Sequence, residues 1–127
     1  MRPTILTVDD AKAVRLLAQK ALSAFDCEVT EASNGYNAFF TIERARPDLI
    51  LLDVSMPIMG GIETLSRLKA APELAAIPVI MLTSRADHDV MSELATLGAS
   101  GTLMKPFTEA ALLEKIRSIL KLRPAKT

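Results

Sequence analysis

The sequence predicts an α/β fold: an open, doubly wound, five-stranded parallel sheet with five helices on both faces. Three observations lead there. Five short apolar runs alternate strictly with longer segments whose apolar residues recur at helical spacing, and strand–helix crossovers of this kind join parallel strands. Three of the runs are nearly continuous in apolar side chains, as strands covered on both faces should be. Five units are too few to close an eight-stranded barrel, so the sheet is open.

The first strand is "TILTV" at 4–8. After Asp9-Asp10, residues Val14, Leu17, Ala18, Ala21, Leu22 and Phe25 fall on one face of a first helix. The second run, "EVTEA" at 28–32, is more polar and suits an edge strand. Past Asn34-Gly35, the residues Ala38, Phe39, Ile42 and Ala45 trace helix two. The third strand is "DLILLD" at 48–53, and helix three follows Gly60-Gly61 through Ile62, Leu65 and Leu68, stopping before Pro72. "PVIMLT" at 78–83 is the fourth strand. Helix four runs from about Asp87 through Val90, Met91, Leu94 and Leu97 to Gly98, a natural stop. "GTLMK" at 101–105 is the fifth strand. Helix five starts at Thr108 as N-cap and uses Leu112, Leu113, Ile116, Ile119 and Leu120.

Composition narrows the function. The 127 residues form one domain, residues 1–127 with a core at about 4–122, and half of them are hydrophobic. A formal net charge of +0 supplies no field toward nucleic acid or anionic lipid. Cys27 is the single cysteine, which excludes an internal disulfide and points to a reducing, cytoplasmic setting. No run matches a signal peptide or a membrane span, so neither a membrane nor nucleic acid is an expected partner.

In an open parallel sheet, ligands bind beyond the carboxyl ends of the strands. There the sequence places Asp9-Asp10, Asp53, Thr83-Ser84 and Lys105-Pro106, while the second strand ends without an obvious contribution in Ala32-Ser33. Carboxylates brought this close repel one another unless a cation neutralises them. An all-oxygen ligand set without His or Cys suits Mg²⁺. An aspartate beside such an ion is a competent nucleophile toward phosphorus, and Lys105 and Thr83 supply the cation and hydroxyl that a transferring phosphoryl group needs. Taken singly, each residue has a plainer explanation: Asp10 caps helix one, Lys105 lies on the surface, and Asp53 sits in a solvated turn. Their joint placement at four strand ends favours the functional reading.

These motifs, "VDD", "LLDVSMPIMGG", "MLTS" and "GTLMKPF", resemble those of the receiver domain of bacterial two-component response regulators, above all the single-domain, CheY-like members. The resemblance covers about residues 4–122 and implies strand order 2-1-3-4-5. It implies Asp53 as phosphoacceptor, with Asp9, Asp10, Asp53 and the backbone carbonyl of Ser55 as Mg²⁺ ligands. It further implies that Thr83 moves toward the phosphoryl group, that Lys105 pairs with it, and that the Lys105–Pro106 peptide is cis. The implied partners are a histidine kinase or histidine phosphotransfer protein upstream, and an effector bound at the helix 4–strand 5–helix 5 face downstream.

The sequence departs from the family pattern at informative positions. Thr102 stands three residues before the lysine, where the family usually has an aromatic switch residue, so any switch must work through a smaller side chain or the backbone. Gly60 replaces a common acidic residue. Ser55 and Arg85 occupy positions resembling those that tune phosphoryl lifetime.

Weaker signals have ordinary explanations. Tyr36 and Phe40 form an exposed pair on helix two, a candidate docking or dimer contact. Met56, Met59, Met81 and Met104 read as packing and loop residues. His88, between Asp87 and Asp89, reads as solvated because successive helical positions do not share a face. The basic tail at 115–126 suits a helix end rather than a nucleic-acid patch.

The expectation is a stand-alone receiver, a monomer or weak dimer. It is not an enzyme acting on a metabolite, and it serves either as a terminal effector, in chemotaxis for instance, or as a phosphorelay intermediate. The alternative is a phosphorylation-independent binding module on the same fold. A haloacid dehalogenase-type phosphatase would require an acid two residues after Asp53, where Ser55 stands.

Overall fold

The computed structural model describes residues 2–125. Five strands, β1 (Thr4–Val8), β2 (Glu28–Ala32), β3 (Leu49–Asp53), β4 (Val79–Thr83) and β5 (Gly101–Met104), form one parallel sheet in the order β2-β1-β3-β4-β5. The helices are α1 (Lys12–Leu22), α2 (Gly35–Arg44), α3 (Gly61–Ala70), α4 (Met91–Thr96) and α5 (Glu109–Arg117). The doubly wound class is the one the sequence predicts, and the strand order is the one the resemblance implies. The polar second run is an edge strand, as its composition suggests.

Every residue of β3 and β4 is buried, which explains their unbroken apolar character. The sheet separates two cores. On one face Leu6, Val8, Ile50, Leu52, Val79 and Met81 pack against α2, α3 and Leu94 of α4. On the other, Ile5, Leu49, Leu51, Ile80 and Leu82 meet α1 and α5. Each fully buried Leu or Ile is worth about 1.5–3 kcal/mol, enough to fix the register that aligns the strand ends.

Several boundaries differ from the sequence reading: the strands predicted at 48–53, 78–83 and 101–105 are each one residue shorter, without Asp48, Pro78 and Lys105. The fourth helical segment is split: Arg85–Val90 is a 3₁₀ turn, and α-helix begins only at Met91. The stretch Arg85–Val90 holds only Ala86 and Val90 as apolar residues, too few to set a period that would distinguish the two forms. Phe25 lies past the end of α1, and Ile119 and Leu120 lie past α5, though all three still pack on the core. Finally, the plainer alternative for Asp10, a cap on α1, is not what the structure shows. The N-cap is Ala11, and the carboxylate that accepts its N–H, at 2.9 Å, is that of Asp9.

Two glycines are structurally required. Gly98 ends the fourth segment at φ +97. Gly61 opens α3 so close to the end of β3 that a Cβ there would overlap the Asp53 carbonyl oxygen, while its N–H donates to the Val54 carbonyl at 2.8 Å. The loop at 54–60 is thus pinched shut directly beside Asp53. Within it Ile58 is 82% exposed and adopts φ 70, a left-handed conformation that a β-branched residue rarely takes.

At the opposite pole, the chain returns along the turn after α1. Phe25 and Pro124 form an antiparallel bridge, and Asp26 and Ala125 donate their N–H groups to the carbonyls of Arg123 and Ala24. The basic tail noted in the sequence extends to Lys126, which lies outside the described residues.

Candidate phosphoryl-acceptor site

Because the strands are parallel, their C-terminal ends share one edge of the sheet. Asp9 follows β1 and is wholly buried; its N–H donates to the Ala32 carbonyl at the end of β2. Asp53 closes β3 and is 5% exposed. Thr83 closes β4, and its carbonyl accepts the N–H of Lys105 at 2.7 Å. Asp10 is exposed at the rim. One carboxylate oxygen from each of Asp9, Asp10 and Asp53 lies within 4.8 Å of the others. The Lys105–Pro106 peptide is cis.

Lys105 Nζ is shared between two acids, 2.6 Å from Asp9 Oδ2 and 3.0 Å from Asp53 Oδ1. Burial pushes the Asp53 carboxyl up from 3.8 to about 6, with the charges of Asp9 and Asp10 adding to the effect and Lys105 opposing it. Lys105 is itself desolvated, which lowers its pKa, but its bonds to Asp9 and Asp53 outweigh burial and the net shift is upward. The two directions are consistent: the ammonium is nearer to Asp9, and its charge is divided. Three carboxylates against one ammonium leave the pocket short of positive charge.

That deficit is the test of whether a metal fits, and a hard divalent cation meets it. A second observation points the same way. Thr83 Oγ1 is buried without a hydrogen-bond partner among the described residues, a costly state that an incoming oxygen acceptor would relieve.

The structure therefore brings Asp9, Asp10, Asp53 and Lys105 together, with Thr83 at the adjacent strand end. Ser55 and Arg85 are exposed. Ser55 Oγ donates to Asp87 Oδ1 at 3.4 Å, and Arg85 lines a separate cleft with Ser84, His88, Met91 and Met104. Thr102 is half-buried on β5 opposite Met81. His88 is exposed, as expected of a solvated residue.

Sequence reasoning overlooked two supporting residues. Arg15 donates from Nη1 to the Asp9 carbonyl at 2.7 Å and pairs through Nε with Glu31 at 2.9 Å, so β2 contributes after all. Asp87 is buried, and its carboxylate accepts the Ser84 N–H at 2.7 Å. The signal for Asp87 was present in Ser84-x-x-Asp87, a variant of the capping-box spacing.

An acid pocket at the mouth of a 2-1-3-4-5 sheet, bridged by a lysine, defines a receiver of two-component signalling. The chain belongs to the response regulator receiver domain family, whose sequence model matches residues 5–117. It is 36% identical over 118 residues to the phosphate regulon transcriptional regulatory protein PhoB of Pseudomonas aeruginosa, covering 93% of this chain but only 52% of that protein. It is 34% identical to sporulation initiation phosphotransferase F of Bacillus subtilis, covering 97% of this chain and 98% of the relative. The chain thus spans about half the length of the first relative and nearly all of the second. Among solved structures, the chemotaxis response regulator CheY4 of Vibrio cholerae superposes with a TM-score of 0.87 at 31% identity, over 94% of this chain and 100% of that one. Receivers are signalling modules that interact with histidine kinases and downstream effectors, and their acidic pocket takes Mg²⁺.

Proposed function

We propose that Asp53 accepts a phosphoryl group from a phosphohistidine on a histidine kinase or phosphotransfer protein, and that the chain then signals by binding a downstream protein. The observation that carries this reading is the buried Asp53 carboxylate, bonded to Lys105 and flanked by two further acids and a hydroxyl that lacks a partner among the described residues.

In this reading an Asp53 oxygen attacks phosphorus, the P–N bond to the donor breaks, and the bonding pair leaves with the imidazole, which takes a proton from solvent. Lys105 keeps one phosphoryl oxygen in place, and the Thr83 hydroxyl donates to another. Asp9, Asp10, Asp53 and the Ser55 backbone carbonyl would hold Mg²⁺, whose charge would offset that of the acids and the phosphoryl group alike. Ser55 and Arg85, two residues past Asp53 and Thr83, tune the lifetime of the product, and the α4–β5–α5 face, including Thr102, presents the phosphorylated state to a partner. No helix among the described residues is long and apolar enough to cross a membrane.

The test is intact mass after incubation with acetyl phosphate, with and without Mg²⁺, for wild type and Asp53→Ala. One added phosphoryl group that requires both Mg²⁺ and Asp53 is expected. An adduct on Asp53→Ala would place the acceptor elsewhere. No wild-type adduct, combined with no binding of fluoroberyllate, would favour the phosphorylation-independent binding module.

A further inference from the structure

We propose that Asp87 is a positioning residue that couples the phosphoacceptor loop to the 3₁₀ turn and helix α4, doing the work for which the half-buried Thr102 is too small. The inference rests on Asp53 being the acceptor, and it names the route by which that event reaches the surface.

Asp87 belongs to none of the groups that would touch metal or phosphoryl, yet it is a buried carboxylate, 7% exposed. A buried acid is costly unless hydrogen-bonded, and its three partners come from two different loops. Ser55 Oγ, two residues past Asp53, donates to Oδ1 at 3.4 Å. Ser84, directly after Thr83, donates to Oδ2 through both its backbone N–H, at 2.7 Å, and its hydroxyl, at 3.2 Å. One side chain therefore joins the segment that leaves the nucleophile to the segment that leaves the hydroxyl donor.

The consequence for switching is mechanical. Thr83 Oγ1 is buried and unpartnered among the described residues, so a phosphoryl oxygen on Asp53 offers it the hydrogen bond it lacks, and satisfying that bond displaces the end of β4. Ser84 is covalently next and is held by Asp87, which lies inside the Arg85–Val90 turn. A short 3₁₀ run has poorer hydrogen-bond geometry than an α-helix and is a common place for a hinge. Displacement of Ser84 is thus passed to Asp87, and from there to Met91–Thr96. The same movement reshapes the cleft of about 330 Å³ between Ser84, Arg85, His88, Met91 and Met104. Met104 is 54% exposed there and available to a partner.

The experiment is backbone amide NMR of wild type, Asp87→Asn and Asp87→Ala, each titrated with fluoroberyllate in the presence of Mg²⁺. Wild type should respond both around Asp53 and along Met91–Thr96. Both variants should still bind, with shifts at Val54 and neighbouring amides. Their α4 shifts should fall below about half the wild-type values, further in Ala than in Asn, because Asn keeps one acceptor oxygen. Wild-type α4 shifts in both variants at equal occupancy would overturn the proposal. Loss of fluoroberyllate binding in Asp87→Asn would also overturn it, by placing Asp87 in the binding site itself. If wild type fails to bind fluoroberyllate, the failure lies with Asp53 as acceptor, so the two readings are separable.

Discussion

Replacing Asp53 by Asn should stabilise the metal-free protein at neutral pH, and the structure sets the size of the gain. The Asp53 carboxyl titrates near 6 in the fold against 3.8 in an exposed chain. Below 3.8 the carboxyl is neutral in both states, and the fold bears no cost. Between 3.8 and about 6 the unfolded chain has released the proton while the fold retains it, so stability falls as pH rises through that window. Above about 6 the penalty is constant at about 3 kcal/mol, since each pKa unit corresponds to 1.36 kcal/mol. Asn mimics the neutral acid imperfectly, so a gain of about 1–3 kcal/mol is expected near pH 8. At about 2.1 cal/mol/K per residue, this raises the midpoint of thermal unfolding by about 4–11 °C. The assay is thermal and urea unfolding of both proteins in EDTA across pH. Saturating Mg²⁺ should narrow the gap by stabilising wild type, by about 2.7 kcal/mol at a hundredfold excess over Kd. If Asp53→Asn is no more stable than wild type near pH 8 without metal, or if the gap persists near pH 4, burial is not what perturbs this carboxylate.

Other perturbations have equally definite outcomes. Lys105→Met removes the cation shared by two buried acids and should destabilise the fold by about 2–4 kcal/mol in urea unfolding, with partial recovery in Mg²⁺; an unchanged midpoint would mean the ion pairs contribute nothing. Gly61→Ala should cost about 2–3 kcal/mol, since the added methyl has to displace the Asp53 carbonyl, and should slow phosphorylation by acetyl phosphate. Ile58→Asn should stabilise by about 1 kcal/mol by relieving the left-handed backbone, without altering that phosphorylation rate.

Most of the fold was legible because burial on both faces leaves a strong imprint. β3 and β4 have no polar face to blur their runs, and the helices between strands carry one apolar stripe each. The strand-end residues followed from topology, since parallel strands deliver their last residues to a common edge. What escaped was set by contacts between distant segments. Asp87 sits in a polar stretch beside His88 and Asp89; its spacing from Ser84 hinted at a local cap, but the bond from Ser55, 32 residues away, arises only in the fold. The 3₁₀ turn carries only Ala86 and Val90 as apolar residues, too few to set a period. The conformation of Ile58 runs against its own propensity, so local sequence argued the wrong way.

The strip at 123–125, paired antiparallel with the turn after α1, has a practical consequence. It lies at the amino-terminal pole of the strands, and five residues of strand, about 17 Å, separate that pole from the aspartates. A surface tether or fluorophore attached past Ala125 would hold the molecule with its acid pocket turned toward solution. Binding measurements on a sensor chip would then present Asp53 and the α4 surface unobstructed. Anchoring through Ile58, though it is the most exposed of the large apolar side chains, would place the attachment on the loop that leaves Asp53.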